Sequence, residues 1–417
     1  MKHCHLWQNA WKTGYQTPLE LTFPDSWDVT MQEMACDSWR PLTRAEMQTA
    51  INYPLGMPPI AELARSGREA LIIFDDLSRG TQTQPLAEIV LEELEKGGIG
   101  PDHVRFLCAL GTHGALTRAD FAMKLGEEIV SRYPVYNHNA FFGNVQIGTD
   151  RFGVPVEINP EFLACDVRIG IGSCSPHLMN GYGGGGKLLF PGIASLKTTC
   201  RGTHARAEYG GQGNPAATGF RRDVEEMTRM AGSFFKIDAI LNARTDTVAL
   251  FAGDPIEEHY AAIEAAAQAN AMPFRRELSD IVIANGNAKF NESAIAAAMG
   301  HMQLKKGGAL VMVNFCPTGE VVHYGCGSFG TNRGGPCRQP HEARPGYPNA
   351  KKFIYYSPYP QSQKTWMGQE VNHTIFCRTW EEVLRELEDW GPGTSVSVLS
   401  DSSIGYFPDL ISHRSNS

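Results

Sequence analysis

Strand patterns that alternate with helical patterns constrain the fold of this chain more than any other feature. The runs ALIIFDD at 70–76 and VRFLCALG at 104–111 are rich in apolar and β-branched residues, as strands buried on both faces usually are. Each run is followed by a stretch with helical periodicity, at 85–96 and at 117–132. This order is typical of a mainly parallel sheet covered by helices, so the sequence predicts an α/β fold.

The same alternation returns in the last third of the chain. A helical pattern ends at Met272-Pro273, and the new strand patterns DIVIANG and ALVMVNF follow it. A chain of 417 residues is long enough to bury more than one core. We therefore predict two α/β domains: a cofactor-binding domain at 1–272 and a second domain at 273–417. We expect the second domain to close a cofactor and substrate cleft between the two.

Charge and composition narrow the range of partners. The net charge of −8 gives no general attraction to nucleic acid or to an anionic membrane, and no apolar run is long enough to span a bilayer. The ten cysteines include no C-x-x-C pair, which argues against a zinc ribbon. We expect a cytoplasmic protein with free thiols that binds a small molecule and neither nucleic acid nor a membrane.

A glycine-rich stretch follows the predicted strand DVRIGIGS at 166–173. It reads GSCSPHLMNGYGGGGKLLFPGIASLKTTCRGTH and contains His177, Lys187 and His204. The glycines from Gly183 to Gly186 carry no side chains, so their backbone can take positive φ angles and lie against a bound group. Ligands of open α/β sheets bind beyond the carboxyl ends of the strands. The stretch therefore predicts a site for a covalent or metal-bearing cofactor.

Two further strand ends carry residues with chemical potential. Asp76 and Arg79 follow the strand pattern at 70–76, and His113 follows the strand pattern at 104–111. An arginine can bind a carboxylate or phosphate through two parallel hydrogen bonds, and a histidine can act as an acid or a base near neutral pH. Each residue alone also has a structural explanation, Asp76 as a turn cap and His113 as a loop residue.

A phosphate-binding loop is an alternative for the glycine stretch. Residues from Gly181 to Lys187 fit the pattern G-x-x-x-x-G-K. Such a loop needs serine or threonine after the lysine to hold magnesium, and Leu188 stands in that place. A P-loop-like nucleotide-binding protein therefore remains an alternative hypothesis.

Taken together, the three strand ends resemble a known family. DDLSRGT resembles the motif D-x-T-R-P, GTHGALT resembles G-T-H-x-x-T, and SPHLMNGYGGGGKLLFPGIAS resembles a long P-H…GGxKxxxPG signature. These motifs occur in this order in the nickel-pincer nucleotide-dependent lactate racemase family. They span about a third of the chain, and the layout of two α/β domains agrees with the resemblance.

The resemblance implies a tethered cofactor, pyridinium-3-thioamide-5-thiocarboxylic acid mononucleotide, bound covalently to Lys187. It also implies that His204 ligates Ni(II), a role that suits an imidazole beside soft sulfur donors. Cofactor-biosynthesis proteins are the implied partners. The remaining implied cofactor-binding residues are Ser175, Gly183, Gly184, Gly185 and Gly186.

The family resemblance further implies a racemase or epimerase of a 2-hydroxy acid that works by hydride transfer. His113 and His177 would be the two catalytic bases, because inversion of one carbon requires reaction at both of its faces. Arg79 would anchor or polarise the substrate, and Asp76 would orient nearby polar groups.

Three departures from the family pattern stand out. His204 lies one residue beyond the expected ligand position, which Thr203 occupies, and Gly80 follows Arg79 where proline is usual. The second-domain motif reads NGNAKFNESAIAAA and lacks the polar groups that hold the lactate carboxylate. We therefore expect a larger or more polar substrate than lactate. A redox isomerase with the same cofactor and an inactive homologue are alternatives. The other candidate anchors are Lys289, Arg333, Arg338, Arg344 and Trp366.

Overall fold

The structure is a computed structural model that describes residues 1–8, 17–203, 212–214, 218–324, 346–359 and 374–412. In chain order, its strands are β1 (Lys2–Leu6), β2 (Leu19–Phe23), β3 (Asp28–Gln32), β4 (Ala70–Asp75), β5 (Val104–Ala109), β6 (Val135–Asn137), β7 (Val145–Thr149), β8 (Pro155–Ile158), β9 (Val167–Ser173), β10 (Pro176–His177), β11 (Gly181–Tyr182), β12 (Phe235–Leu241), β13 (Thr247–Gly253), β14 (Ser279–Asn285), β15 (Leu304–Val313), β16 (Ala350–Tyr356), β17 (Ile375–Cys377) and β18 (Ser395–Leu399).

The helices of the described residues connect these strands. They are α1 (Arg44–Asn52), α2 (Ile60–Ser66), α3 (Thr83–Gly97), α4 (Arg118–Leu125), α5 (Glu127–Arg132), α6 (Pro160–Ala164), α7 (Leu196–Thr198), α8 (Gly219–Ala231), α9 (Glu257–Ala269), α10 (Ser293–Met302), α11 (Trp380–Glu386) and α12 (Pro408–Ser412). Short 3-10 turns cover Ala35–Ser38, Pro101–His103 and Gly185–Leu188, and one π turn covers Thr199–Thr203.

The first sheet has the strand order β13-β12-β9-β4-β5-β6, and only the β12–β13 pair is antiparallel. Every residue of β4 is buried. Alternate side chains of β4 enter two different cores, because successive residues of a strand point to opposite faces. Ile72 and Phe74 pack in the core that contains α3 and α9, whereas Leu71 and Ile73 pack in the core that contains α8. The predicted α/β fold with mainly parallel sheets is confirmed.

The second sheet is parallel throughout, with the order β17-β16-β15-β14-β18-β3. Its edge strand β3 comes from the start of the chain, and Leu6, Leu21 and Phe23 pack in the same core as β14. Residues 2–32 thus do not join the first sheet, where the predicted unit 1–272 placed them. Short-range patterns cannot reveal this, because β3 finds its partner strand more than 360 residues away. Apart from this segment, the division into domains stays a prediction.

The topology places several loops at one edge of the first sheet. Strands β9, β4 and β5 are adjacent and parallel, so their carboxyl ends meet at the same edge. The loop after β9 folds back as a small hairpin of β10 and β11 and continues into the 3-10 turn Gly185–Leu188. Helix α10 follows β14 of the second sheet. These segments surround one cavity.

Two local expectations need correction, and a third lies outside the described residues. The helix predicted at 117–132 is two helices, α4 and α5, interrupted at Gly126, whose φ of 82° lies in the region that favours glycine. The glycine-rich stretch ends in α7 and the π turn, and His204, the implied nickel ligand, lies outside the described residues. Seven cysteines of the described ranges are free thiols, but Cys200 is disulfide-bonded, contrary to the expectation of free thiols throughout.

A membrane-spanning segment is also absent from the described ranges, where no helix has both the length and the apolar character to cross a bilayer.

Candidate active site

A cavity of about 320 Å³ lies at the carboxyl ends of β4, β5 and β9, and residues of the second sheet's unit close it. This volume is in the range of small-molecule sites. The structure brings most of the predicted site residues together around it. Those that line the cavity are Asp76, Arg79, His113, Ser175, His177, Gly183, Gly184 and Lys187.

Asp76 and His113 form a buried pair at the ends of β4 and β5. These strands pair in register up to Asp75 and Ala109, which places the following loops side by side. The Nδ1 atom of His113 lies 2.6 Å from Oδ2 of Asp76. The other oxygen of Asp76 accepts hydrogen bonds from the backbone N–H of Ser78, at 3.0 Å, and from its hydroxyl. Asp76 is thereby fixed, and it directs Nε2 of His113 away from β4.

Arg79 reaches from the same loop to the other side of the cavity. Its Nη1 donates to Oγ of Ser78, at 2.7 Å, and to the carboxylate of Glu292. Glu292 is the N-cap residue of α10. Its second oxygen, Oε1, lies 3.5 Å from Nε2 of His113. Glu292 therefore bridges the ends of two strands of the first sheet from the second sheet's side.

His177 and Lys187 form a second pair. His177 lies in the β10–β11 hairpin, and its Nε2 is 2.6 Å from Nζ of Lys187. Its Nδ1 accepts the backbone N–H groups of Met179 and Asn180, both at 3.2 Å. A nitrogen that accepts hydrogen bonds carries no proton, so the neutral ring holds its proton on Nε2. The Nε2–H group then donates to the amine of Lys187.

The four glycines of the stretch divide between two environments. Gly183 and Gly184 line the cavity, whereas Gly185 and Gly186 do not. A Cβ atom on Gly184 would lie 2.5 Å from Oδ2 of Asp238, and one on Gly186 would lie 2.1 Å from Oγ1 of Thr228. The absence of side chains thus also lets the loop pack closely on the protein behind it.

A buried polar cluster supports this glycine loop. In the part of the chain that the structure describes, Asp238, Glu258 and His259 are the group of potential metal ligands that lie close together. Asp238 already accepts the N–H of Gly185, at 2.7 Å, the ring of His259, at 3.1 Å, and the ammonium of Lys236. Since donors occupy both oxygens of Asp238, we interpret the cluster as a support for the loop.

The geometry of a phosphate-binding loop is not formed here. Gly181 and Tyr182 pair with β10 as a two-residue strand, and Lys187 lies in a 3-10 turn with its amine against His177. A P-loop requires a strand, a loop and a long helix in sequence. The alternative of a P-loop-like protein is therefore not supported by the structure.

Known proteins share the segment that carries this site. The family model described as the lactate racemase N-terminal domain matches residues 15–212, which include Asp76, His113, His177 and Lys187. Residues 15–212 thus match a lactate racemase N-terminal domain, and the chain is lactate racemase-like over this segment.

Two lactate racemases are similar to this lactate racemase-like chain in sequence. The protein from Lactiplantibacillus plantarum is 27% identical over 278 residues, which are 64% of this chain and 65% of that protein. The protein from Thermoanaerobacterium thermosaccharolyticum is 25% identical over 287 residues, or 66% of each chain. The matches thus span slightly less than two thirds of each relative's own length.

Solved structures share the fold of this lactate racemase-like chain. The lactate racemase apoprotein from Thermoanaerobacterium thermosaccharolyticum matches with a TM-score of 0.69 and 19% identity, covering 97% of this chain and 100% of that one. A protein from Thermotoga maritima matches with a TM-score of 0.62 and 16% identity, covering 88% and 98%. The likeness extends over both sheets.

The two histidines of this lactate racemase-like site carry different charges. Burial alone would lower the pKa of His113, but the carboxylates of Asp76 and Glu292 outweigh it and raise the pKa to about 9. Burial and the charges of Lys289 and Arg79 hold the pKa of His177 well below its ordinary value. At neutral pH, His113 is therefore an imidazolium ion and His177 a neutral imidazole.

Two lysines complete the electrostatics of the cavity. Burial, with the charges of Arg79 and Lys289, holds the pKa of Lys187 well below its ordinary value, and its amine accepts the Nε2–H group of His177. Burial, with the charge of Arg79, lowers the pKa of Lys289 to about 8. Lys187 is thus a nucleophile with a free electron pair, and Lys289 is a cation that lines the same cavity.

Glu292 is the functional residue that sequence reasoning missed. The segment NGNAKFNES was interpreted as a loss of polar substrate contacts, yet its glutamate pairs with Arg79 and its lysine lines the cavity. A glutamate directly before the pattern of α10, just beyond a buried strand, was the available signal. His204, Arg333, Arg338, Arg344 and Trp366 lie outside the described residues.

The described residues fit the tethered part of the implied cofactor. Lys187 offers a neutral amine for a covalent bond, and it opens on a cavity with the side-chain-free wall of Gly183 and Gly184. A Cβ on Gly183 would have its nearest neighbour, the carbonyl oxygen of Ser175, at 3.7 Å, so this glycine leaves free space.

Proposed function

We propose that this chain is a racemase or epimerase of a 2-hydroxy acid other than lactate, with a nickel-pincer nucleotide held on Lys187. The observation that carries the proposal is the pair of histidines that line one cavity, with Nδ1 of His113 2.6 Å from Asp76 and Nε2 of His177 2.6 Å from Nζ of Lys187. The match to the lactate racemase N-terminal domain and the two similar lactate racemases support the racemase part of the proposal.

Inversion at a carbon that bears a hydroxyl group needs such a pair. Held on Lys187, the nucleotide would supply the hydride-transfer chemistry that inversion at Cα requires. The hydroxyl proton must leave and return in the same cycle. A neutral histidine can receive it and a charged histidine can give one back, and the two exchange roles in the reverse reaction.

On the first side of the cavity, the chain supplies the proton donor. Asp76 holds Nδ1 of His113, which leaves the Nε2–H group to protonate the substrate oxygen. Arg79 polarises the oxygen atoms of the substrate, since its guanidinium lines the cavity.

On the other side, His177 must first exchange its proton. To accept a proton at Nε2, the neutral ring has to carry its own proton on Nδ1, and the N–H groups of Met179 and Asn180 now face that atom. A covalent bond at Lys187 would remove the electron pair that accepts the Nε2–H group. Loss of this acceptor would favour the tautomer of His177 that carries its proton on Nδ1.

The other proposed contacts concern the cofactor and the substrate. Ser175, Gly183 and Gly184 would form the wall beside the tethered group, and His204 would ligate nickel. Loading requires cofactor-biosynthesis proteins. Helix α10 presents Ala294, Ile295 and Ala298 to the cavity, where lactate racemases are expected to have polar groups, and this supports a substrate other than lactate.

The test uses chain produced together with the cofactor-building enzymes. We expect intact mass to show a covalent adduct, metal analysis to show nickel, and chiral chromatography to show inversion of a 2-hydroxy acid. The Lys187→Ala variant should lack the adduct, and Lys197→Ala, at an exposed lysine on α7, is the matched control. An adduct with no inversion of any 2-hydroxy acid would refute the racemase and leave the redox isomerase or the inactive homologue.

A further inference from the structure

The position for an anion between Arg79 and His113 is already filled by the protein. Glu292 is buried, accepts a hydrogen bond from Arg79, and lies 3.5 Å from Nε2 of His113. Its pKa is held well below its ordinary value by the neighbouring cations, although burial would raise it. A second carboxylate placed between the same two cations would meet the full negative charge of Glu292 at contact distance.

A different cation is available on the second sheet's side. Lys289 is 3% exposed, and the contact that the structure gives its ammonium is the carbonyl oxygen of Pro176, at 3.4 Å. An ammonium group has three donors, so Lys289 has donors to offer to a ligand. Its backbone is fixed, because its N–H donates to Ser403 Oγ at 3.1 Å and the N–H of Ala288 donates to Asp401 at 2.7 Å.

The charges around the reacting region leave one positive charge in excess. Arg79, His113 and Lys289 are cations, whereas Asp76 and Glu292 are anions. A single carboxylate balances this set. A dicarboxylate would leave an excess negative charge in a buried site, which is unfavourable.

The other ion pairs near the cavity do not change this balance. Asp75 pairs with Lys124 at 2.7 Å, and Lys236 pairs with Asp238. Each pair is neutral as a unit.

The neighbouring wall cannot bind hydroxyl groups. Ala294, Ile295 and Ala298 contribute no hydrogen-bonding side chain to the cavity. The carboxylate of Glu292 stands at the start of the same helix, and a carboxylate accepts strong hydrogen bonds from hydroxyl groups.

We infer that Lys289 and Glu292 select a 2-hydroxy monocarboxylic acid that carries at least one further hydroxyl group, as an aldonic acid does. The acid's carboxylate pairs with Lys289, and a further hydroxyl group donates to Glu292. This inference rests on the proposed racemase function, since it assigns the substrate of that site. It separates polyhydroxy monoacids from dicarboxylic and simple aliphatic hydroxy acids.

The experiment measures binding to the chain without cofactor, by calorimetry and saturation-transfer NMR. The probes are gluconate as the aldonic acid, lactate as the small acid and malate as the dicarboxylic acid. We expect gluconate to bind at least about 10-fold more tightly than either of the others, because it gains a charge-assisted hydrogen bond to Glu292. Malate or lactate binding more tightly than gluconate would overturn the inference, and so would no binding of any probe.

Two variants assign the contacts. Lys289→Gln should weaken gluconate binding by about 10-fold to 100-fold, the loss expected when a buried charged hydrogen bond is removed. Glu292→Gln should reduce the preference for gluconate over lactate and improve malate binding. Lys306→Gln, at an exposed lysine of the same unit, is the control. Unchanged gluconate affinity in Lys289→Gln, with the fold intact by circular dichroism, would contradict the assignment.

The outcomes for the two proposals are separable. If gluconate binds as expected but loaded enzyme inverts no hydroxy acid, the racemase proposal fails and the binding site stands. If loaded enzyme inverts malate with a higher kcat/KM than gluconate, the racemase proposal stands and the present inference fails.

Discussion

His113 and His177 line one cavity, but their surroundings differ in charge. Two carboxylates, Asp76 and Glu292, face His113, whereas the cations Lys289 and Arg79 act on His177. Burial lowers the pKa of both rings, so burial cannot explain why only one of them is charged. The charged neighbours of each ring, which come from different strand ends, therefore decide which histidine can donate a proton and which can accept one.

The largest effect is expected from replacing Lys187, whose amine contacts Nε2 of His177. In loaded enzyme, Lys187→Ala should abolish both the covalent adduct and inversion, because it removes the amine that contacts Nε2 of His177 in the cavity. Intact mass and chiral analysis check this, with Lys197→Ala as control. A retained adduct in Lys187→Ala would assign the tether to another residue.

The next effect tests whether both histidines take part in proton transfer. His113→Ala and His177→Ala should each lower the rate of inversion by about 100-fold or more, as expected for the loss of a positioned acid or base. The measurement is the initial rate from each enantiomer, with adduct content determined for every variant. If either variant inverts at the normal rate, that histidine has a structural role only.

A smaller effect is expected when one of the two carboxylates that face His113 is neutralised. Asp76→Asn should lower the pKa of His113 from about 9 toward the ordinary value of about 6.5. The rate should fall by about 10-fold to 100-fold, as for loss of an orienting carboxylate. NMR titration of the His113 ring gives a direct readout. A pKa that stays near 9 would show that Glu292 alone sustains the charge.

The same pair predicts how stability depends on pH. In the folded protein the pKa of His113 lies above its ordinary value of about 6.5. The charged ring, paired with Asp76, therefore contributes its full stabilisation below about pH 6.5. It is lost as the pH rises through about 9. Asp76→Asn should therefore flatten the fall in Tm between these two values, and an unchanged slope would contradict the assignment.

The smallest effect on the reaction is expected from replacing Asp238, which supports the glycine loop by accepting the N–H of Gly185. Asp238→Asn should leave the buried ammonium of Lys236 without its ionic partner and lower stability by about 3 kcal/mol. The adduct on Lys187 should persist below the new Tm. Denaturant unfolding measures the change, and Asp102→Asn, at an exposed aspartate, is the control. Loss of the adduct in a folded variant would show that Asp238 also positions Lys187.

The sequence predicted the parts of the site that follow buried strands. Asp76, Arg79, His113 and His177 come within a few residues of a strand end, and parallel strands bring such ends together. Strand patterns thus sufficed to predict one side of the cavity. The α/β fold was predictable for the same reason.

The sequence could not predict contacts between residues far apart in the chain, nor the charges of the two histidines. Glu292 is 213 residues from Arg79, and no local pattern indicates that a helix cap in one unit meets an arginine in the other. The edge strand β3 presents the same difficulty. The charge difference between the histidines depends on which carboxylates and lysines are buried beside each ring, and packing decides that.

The path of β3 has a consequence for the architecture. Strand β3 joins the second sheet, whose other strands β14 to β18 come from the last third of the chain, so the strands of the first sheet are nested between them in sequence. The two ends of the nested unit touch, since the N–H of Ala35 donates to the carbonyl oxygen of Ala271 at 3.0 Å. A segment whose ends are adjacent can be inserted into a host domain without altering the path of the host chain. The cavity is lined by residues of this nested segment, such as Asp76 and His113, and by Lys289 and Glu292 from the part of the chain that follows it.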